Sequence, residues 1–167
     1  MRSLLARFCI YPEVFFDMLT TLPIPVAQPE ITTKVIDYSF DKALVHAVRT
    51  EVFVNEQSIP VELEVDHIDP ISQHVLATYE GSPVGTGRLT PQGRIGRVAV
   101  ARPMRRQGVG QQIMGQLLEL AKCSNHREVI LSAQHHAIEF YEKLGFKCEG
   151  EAFLEVGIWH VTMRKQI

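Results

Sequence analysis

The fold of this chain is decided by one stretch of its sequence, Val98-Ala99-Val100-Ala101-Arg102-Pro103-Met104-Arg105-Arg106-Gln107-Gly108-Val109-Gly110. The stretch begins with the apolar residues of a strand, passes through a loop with three arginines and enters a helix with two glycines at its start. A helix start exposes unpaired backbone N–H groups at the positive end of the helix dipole, and glycine lets a phosphate approach the backbone closely. The stretch therefore predicts a pyrophosphate-binding loop between a strand and a helix.

Two other phosphate-binding loops are excluded by single positions. A dinucleotide-binding fingerprint needs a third glycine at position 113, where the chain has Ile113. A nucleoside-triphosphate loop from Gly110 to Gly115 needs a lysine next, and the chain has Gln116 there. The pattern that remains is Arg105-x-x-Gly108-x-Gly110.

Upstream of this loop the sequence predicts a strand, a helix and a loop. Residues 31–37 are rich in β-branched side chains, and Ser39 is predicted to cap the helix that follows. The apolar positions of that helix recur at every fourth residue: Phe40, Leu44, Val48 and Val52. Residues 55–70 carry five carboxylates without regular periodicity, which indicates a loop.

Three consecutive strands are predicted between this acidic loop and the arginine-containing loop. They span residues 73–79, 84–89 and 95–100, and the turn signals Glu80-Gly81-Ser82-Pro83 and Gln92-Gly93 separate them. Short turns between neighbouring strands favour antiparallel pairing, so we expect an antiparallel meander.

The C-terminal half changes to helical periodicity. An apolar stripe predicts a helix over residues 108–122, followed by a short strand at 129–132 and a second helix over 134–144. Gly145 stands where a left-handed helix end is expected. The positions of the second helix predicted to be buried are Ala137, Phe140, Tyr141 and Leu144.

From Phe146 the chain returns to strand, and Gly157 separates the last two strands. The complete order predicts an α+β fold, an α/β/α sandwich in which a mixed, mostly antiparallel sheet of about seven strands is flanked by helices on both faces. We expect residues 31–167 to form this domain. Residues 1–30 contain four prolines and no glycine, and they are predicted to be an N-terminal extension with a proline-rich linker.

A second element supports the phosphate-loop interpretation. The segment Leu131-Ser132-Ala133-Gln134-His135-His136-Ala137-Ile138-Glu139-Phe140-Tyr141-Glu142-Lys143-Leu144-Gly145-Phe146 resembles a strand and helix of the GNAT-type N-acetyltransferase superfamily, whose coenzyme A motif the Arg105-x-x-Gly108-x-Gly110 pattern also resembles. Residues 49–57 and 153–163 are similar to its small bacterial ElaA-like branch. The resemblance covers residues 31–167 and implies the acyl-CoA N-acyltransferase fold of that superfamily, with the sheet splayed at its central parallel pair.

The resemblance implies a binding site for acetyl-CoA. The backbone of the strand before the loop is expected to hold the pantetheine arm, at Val98, Ala99 and Val100. The loop and helix start are expected to hold the pyrophosphate, at Arg105, Arg106, Gln107, Gly108, Val109, Gly110 and Gln111. An amine then meets the thioester in the gap after Val100 and after Ser132.

Tyr141 matches the superfamily tyrosine that protonates the departing thiolate, although core packing beside Phe140 would explain its position on spacing alone. The general base is less defined. Many members of the superfamily have a glutamate on the strand before the loop, but residues 94–100 contain no carboxylate. We favour His160, which lies in the matching C-terminal segment and whose imidazole titrates near neutrality.

Other candidates for the base stay open, and for each of them, as for His160, a surface position is the more ordinary explanation: Glu51, Glu64, Asp66, His67 and His74. A proton relayed through water, or binding of an already neutral amine, would need no single base. The acidic residues between positions 56 and 69 are expected either to attract a cationic acceptor or to form a solvated loop.

The predicted function is transfer of the acetyl group of acetyl-CoA to a primary amine of a small molecule or peptide, by direct attack on the thioester. A noncatalytic acyl-CoA-binding or sensing module is the main alternative, because coenzyme binding and catalysis depend on different residues. A nucleotide-phosphate binder that uses the same loop is a third.

Composition excludes other classes of partner. Seventeen lysines and arginines against nineteen aspartates and glutamates leave a formal net charge of −2, so no overall field would hold a nucleic acid. Three cysteines are too few for a disulfide framework, which favours a reducing compartment and a cytoplasmic protein. No metal is expected, because Cys123, His126, His135 and His136 follow no ligand spacing.

The N-terminal extension has the apolar appearance of a targeting signal but fails in detail. Arg7 interrupts its apolar run, and Glu13 and Asp17 add charge, so neither a signal peptide nor a membrane-spanning stretch of about 20 residues is expected. Met18 is an alternative start of the chain. The extension is expected to dock on the domain or on a neighbouring subunit, which leaves a homodimer open.

Overall fold

The computed structural model describes residues 30–167. Its strands are β1 (Ile31–Ile36), β2 (Gln73–Tyr79), β3 (Ser82–Leu89), β4 (Ile95–Val100), β5 (Glu128–Gln134), β6 (Lys147–Glu155) and β7 (Ile158–Gln166). Its α-helices are α1 (Tyr38–Arg49), α2 (Val61–Glu64), α3 (Val109–Cys123) and α4 (Ile138–Lys143), with a π-helix at Thr50–Glu56 and 3₁₀ turns at Asp69–Ile71, Arg102–Met104 and His135–Ala137. Apart from Glu30, the predicted N-terminal extension lies outside the described residues, so the domain division stays a prediction.

The strands form two antiparallel sheets that meet at one parallel junction. The first sheet has the order β1-β2-β3-β4 and the second the order β5-β7-β6. β4 and β5 are joined by a parallel bridge between Arg94 and Ile130, where the Ile130 N–H donates to the Gly93 carbonyl oxygen at 3.1 Å. Beyond this bridge the two strands separate. The α+β architecture with seven strands and a splayed central parallel pair is confirmed.

Helices cover the two faces of the first sheet. Residues on β4 alternate between faces, so Ala99 packs with Val48 and Val52 on the α1 side, whereas Val98 and Val100 pack with the core beneath α3. Gly85 and Gly87 of β3 let α3 pack closely, because a Cβ at either position would lie 2.8 Å from an Ile113 methyl carbon. The three-layer arrangement is therefore built on small residues in the central strands.

β4 contains a bulge that the sequence pattern does not predict. Its register with β3 shifts between the pairs Thr86–Ala99 and Arg88–Gly96, so β4 has one residue more than β3 over this interval. Arg97 has a φ of 53°, a left-handed conformation that is uncommon for a residue other than glycine. A bulge bends its strand and redirects a side chain, and bulges often lie beside functional sites.

The first helix differs from the prediction in its cap and in its buried face. Asp37, rather than Ser39, is the N-cap, and its Oδ1 accepts hydrogen bonds from the Ser39 N–H and hydroxyl. Phe40 is 84% exposed and Leu44 is also exposed. The buried positions of α1 are Val45, Val48 and Arg49. The predicted stripe was wrong at its first two positions because the buried face includes a charged residue, which apolar periodicity ignores.

The predicted second C-terminal helix is shorter than expected. β5 extends to Gln134, a 3₁₀ turn follows, and α4 begins only at Ile138. Tyr141 is buried as predicted, whereas Ala137, Phe140 and Leu144 are partly buried against the same core. Gly145 ends the helix in the expected left-handed conformation, with a φ of 86°.

Among residues 30–167 no helix is long and apolar enough to cross a bilayer.

Candidate active site

A cleft of about 760 Å³ opens where β4 and β5 separate. The π-helix and α2 form one wall, the turn between β6 and β7 forms another, and α4 lies behind the gap. Of the residues predicted for the site, those that line this cleft are Val98, Ala99, Val100, Arg105, Tyr141 and His160. The structure therefore brings the strand, the tyrosine and the histidine together in one cavity.

The backbone of β4 presents hydrogen-bonding groups to the gap. Ala101 N–H donates to the Val84 carbonyl oxygen of β3 at 2.8 Å. Hydrogen bonds to one neighbour alternate along an antiparallel pair, so the N–H groups of Val98 and Val100 point away from β3 and toward the opening. An extended ligand placed in the gap could pair with these groups as an additional strand would.

The start of α3 carries the predicted phosphate-binding geometry. Gly108 is its N-cap with a φ of 82°, and the first helical hydrogen bond runs from Gln112 N–H to the Gly108 carbonyl oxygen at 3.0 Å. No side chain caps this helix, so the N–H groups of Val109, Gly110 and Gln111 are left for a ligand. A diphosphate is an anion, and the positive end of the helix dipole attracts anions. The three amides therefore fit the diphosphate group of coenzyme A.

The two glycines of the loop do different work. A Cβ at Gly108 would meet nothing closer than 3.9 Å, so glycine is favoured there by its positive φ rather than by lack of space. A Cβ at Gly110 would lie 3.3 Å from Cζ of Phe140, so glycine there lets α3 approach α4. The sequence interpretation assigned both glycines to the phosphate, and Gly110 also has this packing role. Gln107 and Arg106 complete the loop: the Gln107 side chain donates to the Pro103 carbonyl oxygen, and Arg106 has a φ of 62°.

Arg105 makes contacts that its predicted role as a coenzyme ligand does not include. Its guanidinium donates to both carboxylate oxygens of Glu56, at 2.7 and 2.6 Å, and its Nε donates to the Val100 carbonyl oxygen at 3.0 Å. These hydrogen bonds lower the pKa of Glu56 and raise that of Arg105. The side chain thus connects the phosphate loop to the π-helix across the mouth of the cleft.

Tyr141 is enclosed by aromatic residues at the back of the cleft. Its ring meets Phe140 edge to face at 5.0 Å and Phe146 at 5.9 Å between centroids. Burial raises the pKa of Tyr141 to about 12, so its phenol keeps its proton at neutral pH. None of the described residues forms a hydrogen bond with its hydroxyl, which leaves that group for a ligand.

His160 lies on β7 opposite Gln134 of β5, at the other side of the cleft. Its Nδ1 lies 2.8 Å from the Ile158 carbonyl oxygen, and its ring stacks on Phe153 with 5.9 Å between centroids. A carbonyl oxygen accepts only, so Nδ1 must carry the hydrogen in this contact and Nε2 keeps its lone pair when the ring is neutral. The geometry orients Nε2 as a proton acceptor.

Two of the other candidate bases, Glu64 and Asp66, belong to a network of charges around the buried Asp69. Asp69 is fully buried and accepts hydrogen bonds from Arg49 at 3.0 and 3.1 Å and from Arg88 at 2.7 Å. Burial works to raise the pKa of Asp69, but these hydrogen bonds and charges outweigh it and lower the pKa to about 2. Asp66 accepts from Arg88 and Arg97, and Glu64 lies 3.3 Å from Arg49. Arginines of α1, β3 and β4 thus pair with three of the five carboxylates of this acidic stretch, whereas Glu62 is exposed. The interpretation as a solvated loop is therefore wrong for Glu64 and Asp69, which are buried.

His74, also expected at the surface, is fully buried. Its Nε2 donates to the Asp69 carbonyl oxygen at 2.9 Å, and its ring stacks on Tyr38 at 4.4 Å. Burial lowers the pKa of His74, so the neutral ring is favoured in the folded protein. Glu51 and His67 are exposed and do not line the cleft. Among the candidates named from the sequence, His160 and Glu64 line it.

Three polar contacts in the cleft were missed by the sequence interpretation: the Arg105–Glu56 pair, a hydrogen bond between the side chains of Gln57 and Gln134, and another from Arg94 to Ser132. Each joins residues far apart in the chain, so no local spacing reveals them. Cys123, His126, His135 and His136 do not come together: residues 30–167 contain no group of three or more histidine, cysteine or acidic side chains placed to hold a metal ion.

Known proteins are similar to this chain in sequence and in fold. The sequence profile of the acetyltransferase (GNAT) domain matches residues 34–167. The chain is 40% identical over 123 residues to YjcF of Bacillus subtilis, described as an uncharacterized N-acetyltransferase, covering 71% of this chain and 87% of that protein. It is 32% identical over 130 residues to protein ElaA of Escherichia coli, covering 72% of this chain and 84% of that one.

A comparison with solved structures leads to the same family as the two sequence relatives. The crystal structure of an acyl-CoA N-acyltransferase from Pseudomonas aeruginosa superposes with a TM-score of 0.70 at 35% identity, covering 83% of this chain and 99% of the other. The chain therefore belongs to the GNAT acetyltransferase family, whose members transfer acyl groups from acyl-CoA to amines. The resemblance seen in the sequence, including the relation to ElaA, is confirmed.

Proposed function

We propose that this protein is an acetyl-CoA-dependent N-acetyltransferase that acetylates a primary amine of a small molecule or peptide. The observation that carries the proposal is that one cleft contains both the free edge of β4 and the buried phenol of Tyr141. A binding module needs the strand edge and the phosphate loop alone. A proton donor beside them is needed when a thiolate has to leave.

In this mechanism the chain's backbone holds acetyl-CoA at two places. The amides of Val109, Gly110 and Gln111 bind the diphosphate, together with the loop from Arg106 to Gly108. The free N–H groups of Val98 and Val100 pair with the pantetheine arm, whereas the N–H of Ala99 between them points toward β3. The Arg105 guanidinium is already paired with Glu56, so we assign this side chain to holding the loop in position. Among the proposed contacts with the coenzyme, that of Arg105 has the least support from the geometry.

The acetyl thioester supplies the electrophile, and the amine meets it in the gap between β4 and β5. Holding the two reactants in attack geometry lowers the activation barrier by about 7 to 11 kcal/mol. An N–H of Val98 or Val100 then donates to the thioester oxygen as negative charge develops on it. The oriented strand amides need little reorganisation for this role.

Two side chains move the protons. Nε2 of His160 accepts the proton released by the attacking amine, because its Nδ1 is held by the Ile158 carbonyl. The Tyr141 hydroxyl donates its proton to the departing thiolate, and its raised pKa keeps the phenol protonated before each turnover. A general acid or base of this kind contributes about 10² to 10⁴ in rate.

A direct test measures release of coenzyme A thiol when the purified protein and acetyl-CoA are mixed with a panel of primary amines and peptides. We expect thiol release and a mass increase of the acceptor with at least one amine. Calorimetry with acetyl-CoA alone provides the second readout. Tight binding without turnover on every acceptor would instead identify a noncatalytic acyl-CoA-binding module, and competition by ATP as strong as by coenzyme A would identify a nucleotide binder.

A further inference from the structure

Arg94 lies at the closed end of the cleft, where β4 and β5 begin to separate. Its Nη2 donates to the Ser132 hydroxyl across the junction between the two sheets. Ile95 is buried in the core beneath α3, so its neighbours Arg94 and Gly96 face the opposite side of β4. Ser132 faces that side too, because Leu131 and Ala133 belong to the same core as Ile95.

The positive charge of Arg94 is not compensated within the described part of the chain. The other three arginines that line the cleft are paired with carboxylates: Arg88 with Asp66 and Asp69, Arg97 with Asp66, and Arg105 with Glu56. Arg94 lies at the exposed side of the cleft, makes its side-chain hydrogen bond with a neutral hydroxyl and forms no ion pair with residues 30–167. A guanidinium in a cleft favours an anionic oxygen group as its partner.

The floor beside this guanidinium is open. A Cβ at Gly96 would meet no atom within 4 Å, so a ligand can lie directly on the strand there. The Ser132 oxygen accepts from Arg94, and its hydroxyl hydrogen is therefore free to donate to the same ligand. Guanidinium, hydroxyl and open strand together form a small oxyanion-binding surface.

We propose that Arg94, Gly96 and Ser132 bind an anionic group of the acceptor, so that the enzyme acts on amines that also carry a carboxylate or a phosphate. The inference rests on the proposed function, which places the reacting thioester near Val98 and Val100. Arg94 precedes Val98 by about 13 Å of strand, at a rise of about 3.3 Å per residue. The amine and the anion of the acceptor are accordingly separated by several bonds.

Matched acceptors test the charge. 6-Aminohexanoate is compared with 6-aminohexanamide, L-lysine with L-lysinamide, and O-phosphoethanolamine with ethanolamine, each by thiol release from acetyl-CoA. We expect KM for the anionic member of a carboxylate or phosphate pair to be about 3- to 5-fold lower, the range for an ion pair with a solvent-exposed guanidinium. The pair with the larger difference identifies which oxyanion the site takes.

The variant Arg94→Gln should abolish this difference by raising KM for the anionic acceptor alone, with kcat and the neutral acceptor unchanged. Arg94→Lys should restore part of the preference. The control Arg127→Gln removes an exposed arginine that does not line the cleft, and we expect it to have no effect. Equal KM values for charged and neutral acceptors in the unaltered protein would overturn the proposal, as would an equal loss on both in Arg94→Gln.

A binding measurement separates this inference from the proposed function. Calorimetry of 6-aminohexanoate and its amide with the protein saturated in coenzyme A needs no turnover. Preferential binding of the acid that disappears in Arg94→Gln supports the anion site even if no acceptor is acetylated. Binding of both with equal affinity, or of neither, rejects the site even if acetylation of neutral amines is observed.

Discussion

Arg105 and Glu56 form a two-fold hydrogen-bonded ion pair across the mouth of the cleft, with both contacts at 2.7 Å or less. The pair joins the phosphate loop before α3 to the π-helix. The Arg105 and Glu56 side chains are 38% and 34% exposed, so the pair should contribute little to global stability. Its expected role is to hold the loop in place for the coenzyme.

Glu56→Gln should therefore raise KM for acetyl-CoA by about fivefold, the equivalent of about 1 kcal/mol from a partly exposed pair, with kcat nearly unchanged. Steady-state kinetics at saturating amine measures both constants. Glu119→Gln is the matched control, because it breaks an exposed ion pair with Lys122 away from the cleft. An unchanged KM in Glu56→Gln would show that the loop keeps its position without the pair.

Tyr141→Phe should lower kcat by about 10² to 10⁴ while acetyl-CoA binds with unchanged affinity. The reason is that the substitution removes only the hydroxyl, which no described residue holds, and keeps the ring packed against Phe140 and Phe146. Thiol release from acetyl-CoA measures kcat, and calorimetry measures the affinity for acetyl-CoA. Tyr79→Phe, outside the cleft, should behave as the unaltered protein. Normal turnover of Tyr141→Phe would remove the tyrosine from the mechanism.

His160→Asn should lower kcat/KM for the amine by about 10² or more, because the asparagine cannot accept a proton at the position of Nε2. Acetyl-CoA affinity should stay the same, since His160 lies across the cleft from the phosphate loop. His67→Asn provides the control at an exposed histidine outside the cleft. If His160→Asn retains full activity, the proton leaves through water or through another group.

Three glycine substitutions in and before α3 should have three different outcomes. Gly108→Ala should weaken acetyl-CoA binding and destabilise the fold by about 1 to 2 kcal/mol, because alanine is strained at a φ of 82°. Gly110→Ala should shift Phe140, which its Cβ would approach to 3.3 Å. Gly115→Ala meets no atom within 4 Å and should stabilise α3 by about 0.5 to 1 kcal/mol. Thermal unfolding and calorimetry separate the three, and equal effects at Gly108 and Gly115 would contradict the strain argument.

The stability of the protein should fall in two steps as the pH decreases. Burial lowers the pKa of His74 below its ordinary 6.5, so the unfolded chain takes up a proton first and stability declines as the pH falls below about 6.5. The pKa of Asp69 is about 2 instead of 3.8, so its stabilisation is complete above pH 4 and is lost toward pH 2. At about 1.4 kcal/mol per pKa unit, that second step is on the order of 2 kcal/mol.

Urea unfolding between pH 7.5 and 2.5 measures both steps. His74→Gln keeps a hydrogen-bond donor for the Asp69 carbonyl but does not titrate, so it should remove the step that begins below about pH 6.5 and leave the step below pH 4. A pH profile of His74→Gln that matches the unaltered protein would assign the upper step to another group.

Local patterns were sufficient to predict most of the fold, and six of the twelve residues predicted for the site line the cleft. The order of elements, the Gly108 helix start and the buried Tyr141 follow from residues close together in the chain, and all three agree with the structure. The prediction was wrong at Phe40 and Leu44, because the buried face of α1 turns toward Arg49. Helical periodicity counts apolar residues and cannot detect a charge that is buried with its partners.

The sequence by itself therefore determined the family, the glycine start of α3 and the burial of Tyr141, since each follows from residues close together in the chain. Tertiary structure alone decided how charged residues were used. Arg49, Arg88 and Arg97 pair with three carboxylates of the acidic segment, namely Glu64, Asp66 and Asp69. Arg94 is left beside Ser132 without a carboxylate in residues 30–167. The hydrogen-bonded pairs among them join residues 19 or more positions apart, and their energies depend on burial that only the packed sheets and helices create.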